Sequence, residues 1–120
     1  MSDKLPHVHI AIPAAWRPTL RNIVGRFARH EYPIEGFPFV VVSPPVAKQI
    51  EEYIADHGET LLELPEESWG SSVAQWTESY WDALVDLWTA ESGKSDLIMD
   101  VRVFEEGDGF RFEVNGIYVP

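Results

Sequence analysis

Carboxylates supply most of the chemistry open to this sequence. Asp82 and Asp86 stand four apart within the tryptophan-rich stretch "SVAQWTESYWDALVDLWTAES", Ser72 to Ser92, and Asp96 and Asp100 repeat that spacing further on. Such a separation places two side chains on one face of a helix and, being even, on one face of a strand as well. Paired carboxyls act as general acid and base when an apolar pocket drives their pKa values apart, and nothing in the surrounding sequence implies such a pocket. Glu51-Glu52, Glu66-Glu67 and Glu105-Glu106 are adjacent, so their side chains diverge on regular elements and read as solvated faces. His7 and His9 project from one side of a presumed strand in a geometry that could chelate zinc, but a third ligand would have to come from elsewhere, so no metal is expected. His57, near a helix C-terminus, suits the helix dipole. The glycines of "EGDGF" make no phosphate loop, because no Lys-Ser or Lys-Thr follows and no helix begins there. No catalytic residue and no cofactor is predicted.

What remains is binding. Three of the five tryptophans fall in the same stretch as Asp82 and Asp86. Trp16 opens the apolar stripe of a helix and Trp81 faces the core in either reading of its segment. Trp88 differs: in a strand it shares the outer face with Asp82, Asp86 and, across a hairpin, Asp100. An exposed tryptophan among carboxylates is what a site for a lysine- or arginine-rich protein would use, the ring desolvating and the charges steering. The predicted partner-binding residues are therefore Asp82, Asp86, Trp88, Glu91, Asp96 and Asp100.

The charge distribution supports that partner class. Residues 1–30 hold five basic groups against one acidic, a net +4, and residues 31–120 hold four against nineteen, a net −15. A field of that sign repels phosphate backbones and anionic lipid and attracts basic proteins, so neither nucleic acid nor a membrane is an expected partner. The chain has no cysteine, which removes disulfides and thiolate chemistry and suits a reducing compartment. With no apolar run long enough for a signal peptide or a membrane span, it reads as a cytoplasmic protein. At 120 residues, 45% apolar and 12% aromatic, it reads as a single domain, 1–120, with an ordinary core.

The elements that must position these residues follow from periodicity. "HVHIAIP" alternates Val8, Ile10 and Ile12 against His7, His9 and Ala11, a half-buried strand stopped by Pro13. Leu20, Ile23, Val24 and Phe27 recur at helical spacing after Trp16, with Arg17, Arg21, Arg26 and Arg29 off the stripe. "EYPIEGFPF" is a turn region. Ser43 reads as an N-cap with Pro44 in the first turn, and Val46, Ile50, Tyr53, Ile54 and His57 share one face up to Gly58. "ETLLELP" reads as a short strand and "EESWGSS" as a loop. Residues from Leu97 and from Phe110 alternate as two strands of a hairpin turned at Asp108-Gly109, and Asn115-Gly116 reads as a bulge. The segment 72–90 fits a helix slightly better than a strand by periodicity alone.

About the last third of the chain, "VDLWTAESGKSDLIMDVRVFEEGDGFRFEVNGIYVP", resembles the C-terminal half of small bacterial proteins in which strands form a meander. The small, acidic, cysteine-free whole is similar to the immunity proteins of contact-dependent and polymorphic toxin systems. The resemblance implies strand for 82–89. It also implies an α+β fold, two helices packed on a mainly antiparallel sheet ending in a C-terminal β-meander, and a non-enzymatic immunity protein that binds and neutralises a basic toxin domain, such as a nuclease. The alternative is an adaptor or a self-associating subunit, in which case homo-oligomers are expected.

Overall fold

The computed structural model describes residues 9–32 and 34–120. The fold is α+β: two α-helices and a six-stranded, mostly antiparallel sheet. In chain order the elements are β1 (His9–Ala11), α1 (Arg17–Ala28), β2 (Val40–Val41), α2 (Pro44–His57), β3 (Val73–Trp76), β4 (Trp81–Thr89), β5 (Gly93–Glu106) and β6 (Gly109–Tyr118). The strands lie in the order β1-β3-β4-β5-β6-β2. The last four form the antiparallel meander expected from the sequence, and β2 joins β6 as a short parallel edge. No helix among the described residues is long and apolar enough to cross a membrane.

Both helices arise where the apolar stripes place them. Leu20, Ile23, Val24 and Phe27 of α1 and Ala47, Ile50 and Ile54 of α2 are buried in one cluster with one face of the sheet. Ser43 Oγ accepts from the Val46 N–H at 3.4 Å, capping α2 at its start. Gly58 ends α2 with φ +80°, a left-handed conformation that glycine adopts without steric cost. On the sheet, the cluster takes Ala83, Val85 and Leu87 from β4, Met99, Val101 and Val103 from β5, and Phe112, Val114 and Ile117 from β6. Trp16 lies at the centre, 2% exposed, edge-on to Trp81 at 6.1 Å and to Phe110 at 5.7 Å.

The β5–β6 bulge falls where Asn115-Gly116 predicts it: Asp100 faces Gly116 while Val101 faces Val114, leaving Asn115 as the additional residue. A Cβ on Gly116 would sit 2.9 Å from Gln49 Oε1, so a larger residue there would displace the Gln49 amide. Gln49, on α2, uses that space to bond both Ile117 groups, donating to its carbonyl at 2.8 Å and accepting from its N–H at 3.3 Å.

Several expectations need correction. By periodicity alone 72–90 fits a helix slightly better, but it is a hairpin, β3 and β4 joined by Thr77–Tyr80, and 82–89 is strand as the resemblance implies. Thr77 ties that turn, donating from Oγ1 to the Tyr80 carbonyl at 2.9 Å, and Glu78 takes a positive φ of +79°. "ETLLELP" makes only an isolated bridge between Leu61 and Thr89, and "EESWGSS" holds a 3-10 turn, Glu66–Gly70, whose Trp69 is buried. The β5–β6 turn places its positive φ at Gly107, not at Asp108 or Gly109, because Glu106 pairs directly with Gly109. Just after β1, Ile12 is buried at 1% exposure, whereas Ile10 within it is 37% exposed, since the strand forms the sheet's edge. The proposed His7–His9 chelate lies partly outside the described residues, and His9 is exposed.

Candidate functional site

Alternation along β4 separates two faces. Trp81, Ala83, Val85, Leu87 and Thr89 are buried toward the helices, while Asp82, Leu84, Asp86 and Trp88 lie part-exposed on the other side. Because α1 and α2 both pack on the first face, the second carries no helical layer among the described residues. Register assembles its side chains. Asp82 sits between Gln75 of β3 and Arg102 of β5, Leu84 lies beside Asp100, and Asp86 faces Ile98, which faces Tyr118.

The centre of this face is a pair of carboxyls. Asp82 and Asp100 occupy neighbouring strands one pleat apart and share a hydrogen bond. Asp100 is only 6% exposed, and its Oδ2 accepts from Tyr118 Oη at 3.1 Å and from Asn115 Nδ2 at 3.4 Å. Each carboxyl keeps a buried Oδ1 with no conventional donor. A proton held between the two groups supplies what both lack, and the energetics agree. Burial first, then the hydrogen bond to Asp100 and its charge, push the Asp82 carboxyl up to about 8, with Arg102 opposing. Burial, Asp100 and Asp82 also raise the Tyr118 hydroxyl to about 12. At neutral pH the pair therefore holds one proton and one negative charge.

Aromatic side chains surround the pair. Tyr80 packs against Phe104 with ring centroids 5.2 Å apart, Arg102 lies over Tyr80 at 5.2 Å, and Arg111 lies over Phe104 at 4.2 Å. Arg111 also pairs with Glu106 at 2.6 Å and with Glu113. At the other end Trp88 lies opposite Lys94, and Lys94 Nζ is 3.7 Å from Asp86 Oδ2. Around the pair, the acidic Asp86, Asp100 and Glu113 are matched in number by the basic Lys94, Arg102 and Arg111.

The predicted site residues divide accordingly. Asp82, Asp86, Trp88 and Asp100 do share the outer face, as the strand reading requires. The pairing differs from expectation, however: Asp82 joins Asp100 and not Asp86. Asp86 instead accepts from Ser71 Oγ and neighbours Lys94. Asp96 is exposed on β5, four residues before the buried Asp100. Glu91 lies in the β4–β5 turn, where it accepts from the Thr60 N–H at 2.7 Å and Thr60 Oγ1 at 2.9 Å, bonds that hold its carboxyl below the usual range. Arg102, Tyr118 and Asn115 were not singled out by the sequence. Their signal is positional only, since each sits beside a site aspartate once register is known.

No curated protein and no solved structure matches this chain. One family model does, over residues 24–120, a span that includes all of β2 to β6 and therefore the whole carboxyl pair with its neighbours. The chain belongs to the family described as a domain of unknown function, DUF7668.

Proposed function

We propose that this protein acts by binding a protein partner through the open face of its sheet, and that the partner is a basic domain of the kind that bacterial immunity proteins neutralise. The observation that carries this reading is the composition of that face: Leu84, Trp88, Phe104 and Tyr118 are part-exposed with no helical layer over them, and they alternate with charged groups. Aromatic side chains left open to water among charged ones are a composition that protein interfaces use.

Charge complementarity gives the partner's sign. The centre of the face is balanced, so the steering field comes from its two ends. Glu91 and Asp96 lie at the β4–β5 turn or just after it, and Glu78, Glu105, Glu106 and Asp108 lie beside the β3–β4 and β5–β6 turns. Together with the net −11, these favour a cationic surface that meets both rims while its apolar groups cover Trp88 and Leu84.

The test is whether a basic domain is encoded beside this protein's gene and associates with this protein, and the lack of one would count against the reading. The expected complex is nanomolar, and its association rate falls tenfold or more as salt rises from about 50 to about 500 mM. Trp88→Ala should weaken it at least about thirtyfold, mainly through faster dissociation. An association rate indifferent to salt, or an affinity that survives both Trp88→Ala and Leu84→Arg, would sink the reading. A self-associating subunit is the second reading, favoured by Phe39 and Val41, which are 68% and 46% exposed at the β2 edge. It predicts oligomers at micromolar concentration in size-exclusion chromatography that Phe39→Asp abolishes.

A further inference from the structure

On the helical side of the molecule, the last turns of α1 and α2 converge on a groove of about 490 Å3. Its floor is apolar, formed by the buried Phe27, Ile54 and Leu61. Its walls carry the carboxylates of Glu51 and Glu59, and its lining holds no lysine or arginine. Both helices also present their C-terminal ends here, Ala28 of α1 and His57 of α2, and each such end carries the equivalent of about half a negative charge. Two carboxylates, two dipole ends and no fixed cation make the groove electronegative over an apolar base.

The local structure reinforces the site. α1 ends with the His30 N–H bonded to the Phe27 carbonyl and the Glu31 N–H to that of Arg26, a closing motif whose left-handed position ordinarily takes glycine. Here that position is His30, at φ +63°. Its ring extends to the groove wall, with Nδ1 2.9 Å from Tyr32 Oη. Tyr32 stacks on Phe27 at 6.1 Å, and its hydroxyl is raised by burial and by the charge of Glu51, which places that carboxylate within electrostatic reach of it. Glu59 is committed elsewhere, accepting from Thr89 Oγ1 and Ser92 Oγ, and these bonds hold its carboxyl below the usual range and so ionised. Glu59 therefore contributes field, while the exposed Glu51 is free to turn toward a ligand. The His57 imidazole lies 3.6 Å from Glu59 Oε1.

We propose that this groove binds a small organic cation, with an aliphatic or aromatic body on the Phe27–Ile54–Leu61 floor and an ammonium group at the Glu51 carboxylate beside Tyr32. The site is separate from the sheet face and does not depend on any protein partner.

The test is a titration of the full chain followed by amide NMR, using phenethylamine as probe, 2-phenylethanol as its neutral analogue and 3-phenylpropionate as its anionic one. Phenethylamine should shift amides of 27–32 and 54–61 with a Kd on the order of 1 mM. The alcohol should bind about tenfold more weakly, and the carboxylate should leave the groove unshifted up to about 10 mM. Glu51→Gln, at an exposed position, should weaken the amine about tenfold and leave the alcohol unchanged. Ala55→Phe, which fills the groove from the exposed side of α2, should abolish both. The proposal is overturned if the alcohol binds as tightly as the amine, if neither variant changes the titration, if the shifts map to the sheet face, or if none appear.

Discussion

On its helix-covered side β4 presents Trp81, Ala83, Val85 and Leu87, none more than 5% exposed; on its other side it presents Asp82, Leu84, Asp86 and Trp88, all part-exposed. The same nine residues thus serve two environments at once. Apart from Thr89 at its end, the covered face is apolar and aromatic, and its stability comes from area removed from water and from close packing. The open face mixes aromatic rings with acids and bases whose desolvation is only partly offset, a cost that stability alone would not select. What the comparison teaches is that alternation along one strand separates folding from recognition, so the two can be perturbed independently.

The largest effect should come from the covered face. Trp16→Ala removes the ring that touches both Trp81 and Phe110, and chemical denaturation should show a loss of about 3–5 kcal/mol. A loss below about 1 kcal/mol would mean that the core closes without it.

Next in size is the proton on the open face. Asp82 ordinarily titrates near 3.8 and is pushed up to about 8 in the fold, so the folded chain holds this proton more tightly than the unfolded chain. Its favourable contribution is complete below the lower value and is lost as pH rises through the upper one. Between about pH 4 and pH 8 stability should therefore fall as pH rises, with a ceiling of about 1.4 kcal/mol per pH unit that partial exposure reduces. Asp82→Asn keeps the shape and removes the titration. It should flatten that slope and be more stable than the native protein at pH 8 by about 1 kcal/mol or more. Parallel slopes for the two proteins would show that the carboxyls share no proton.

Trp88→Ala should cost only about 1 kcal/mol of stability, well below Trp16→Ala, because its ring is already partly in water. An equal cost would erase the distinction between the faces. Smallest of all, Lys94→Ala should change stability by less than about 0.5 kcal/mol, since its side chain is 53% exposed and its Nζ lies 3.7 Å from Asp86 Oδ2.

Much of the fold was legible because its signals are local. The apolar stripes of α1 and α2, the Ser43 cap, the left-handed Gly58 and the Asn115-Gly116 bulge each depend on residues within a turn of one another. The β3–β4 turn was not legible, since Thr77–Tyr80 contains no glycine, proline or asparagine and closes through a threonine hydroxyl and a positive φ at Glu78. For the same reason Val73, Trp76, Tyr80 and Trp81 imitate a helical stripe although they flank a reversal. The outer-face membership of Asp82, Asp86, Trp88 and Asp100 followed from parity along the strands. The partner of Asp82 did not, because which aspartate it meets depends on the β4–β5 register, and that register carries an irregularity between Asp86 and Trp88.

The outermost strands carry a consequence of their own. β1 spans three residues and β2 two, and beyond β2 the Gln49 side chain occupies the Ile117 backbone groups that another strand would need. Strand addition, the commonest way for exposed sheets to stack into fibres or recruit extended peptides, has little free ladder to grip at either border. Assembly is thereby directed onto the broad side of the sheet, where side chains rather than main-chain amides decide who is admitted.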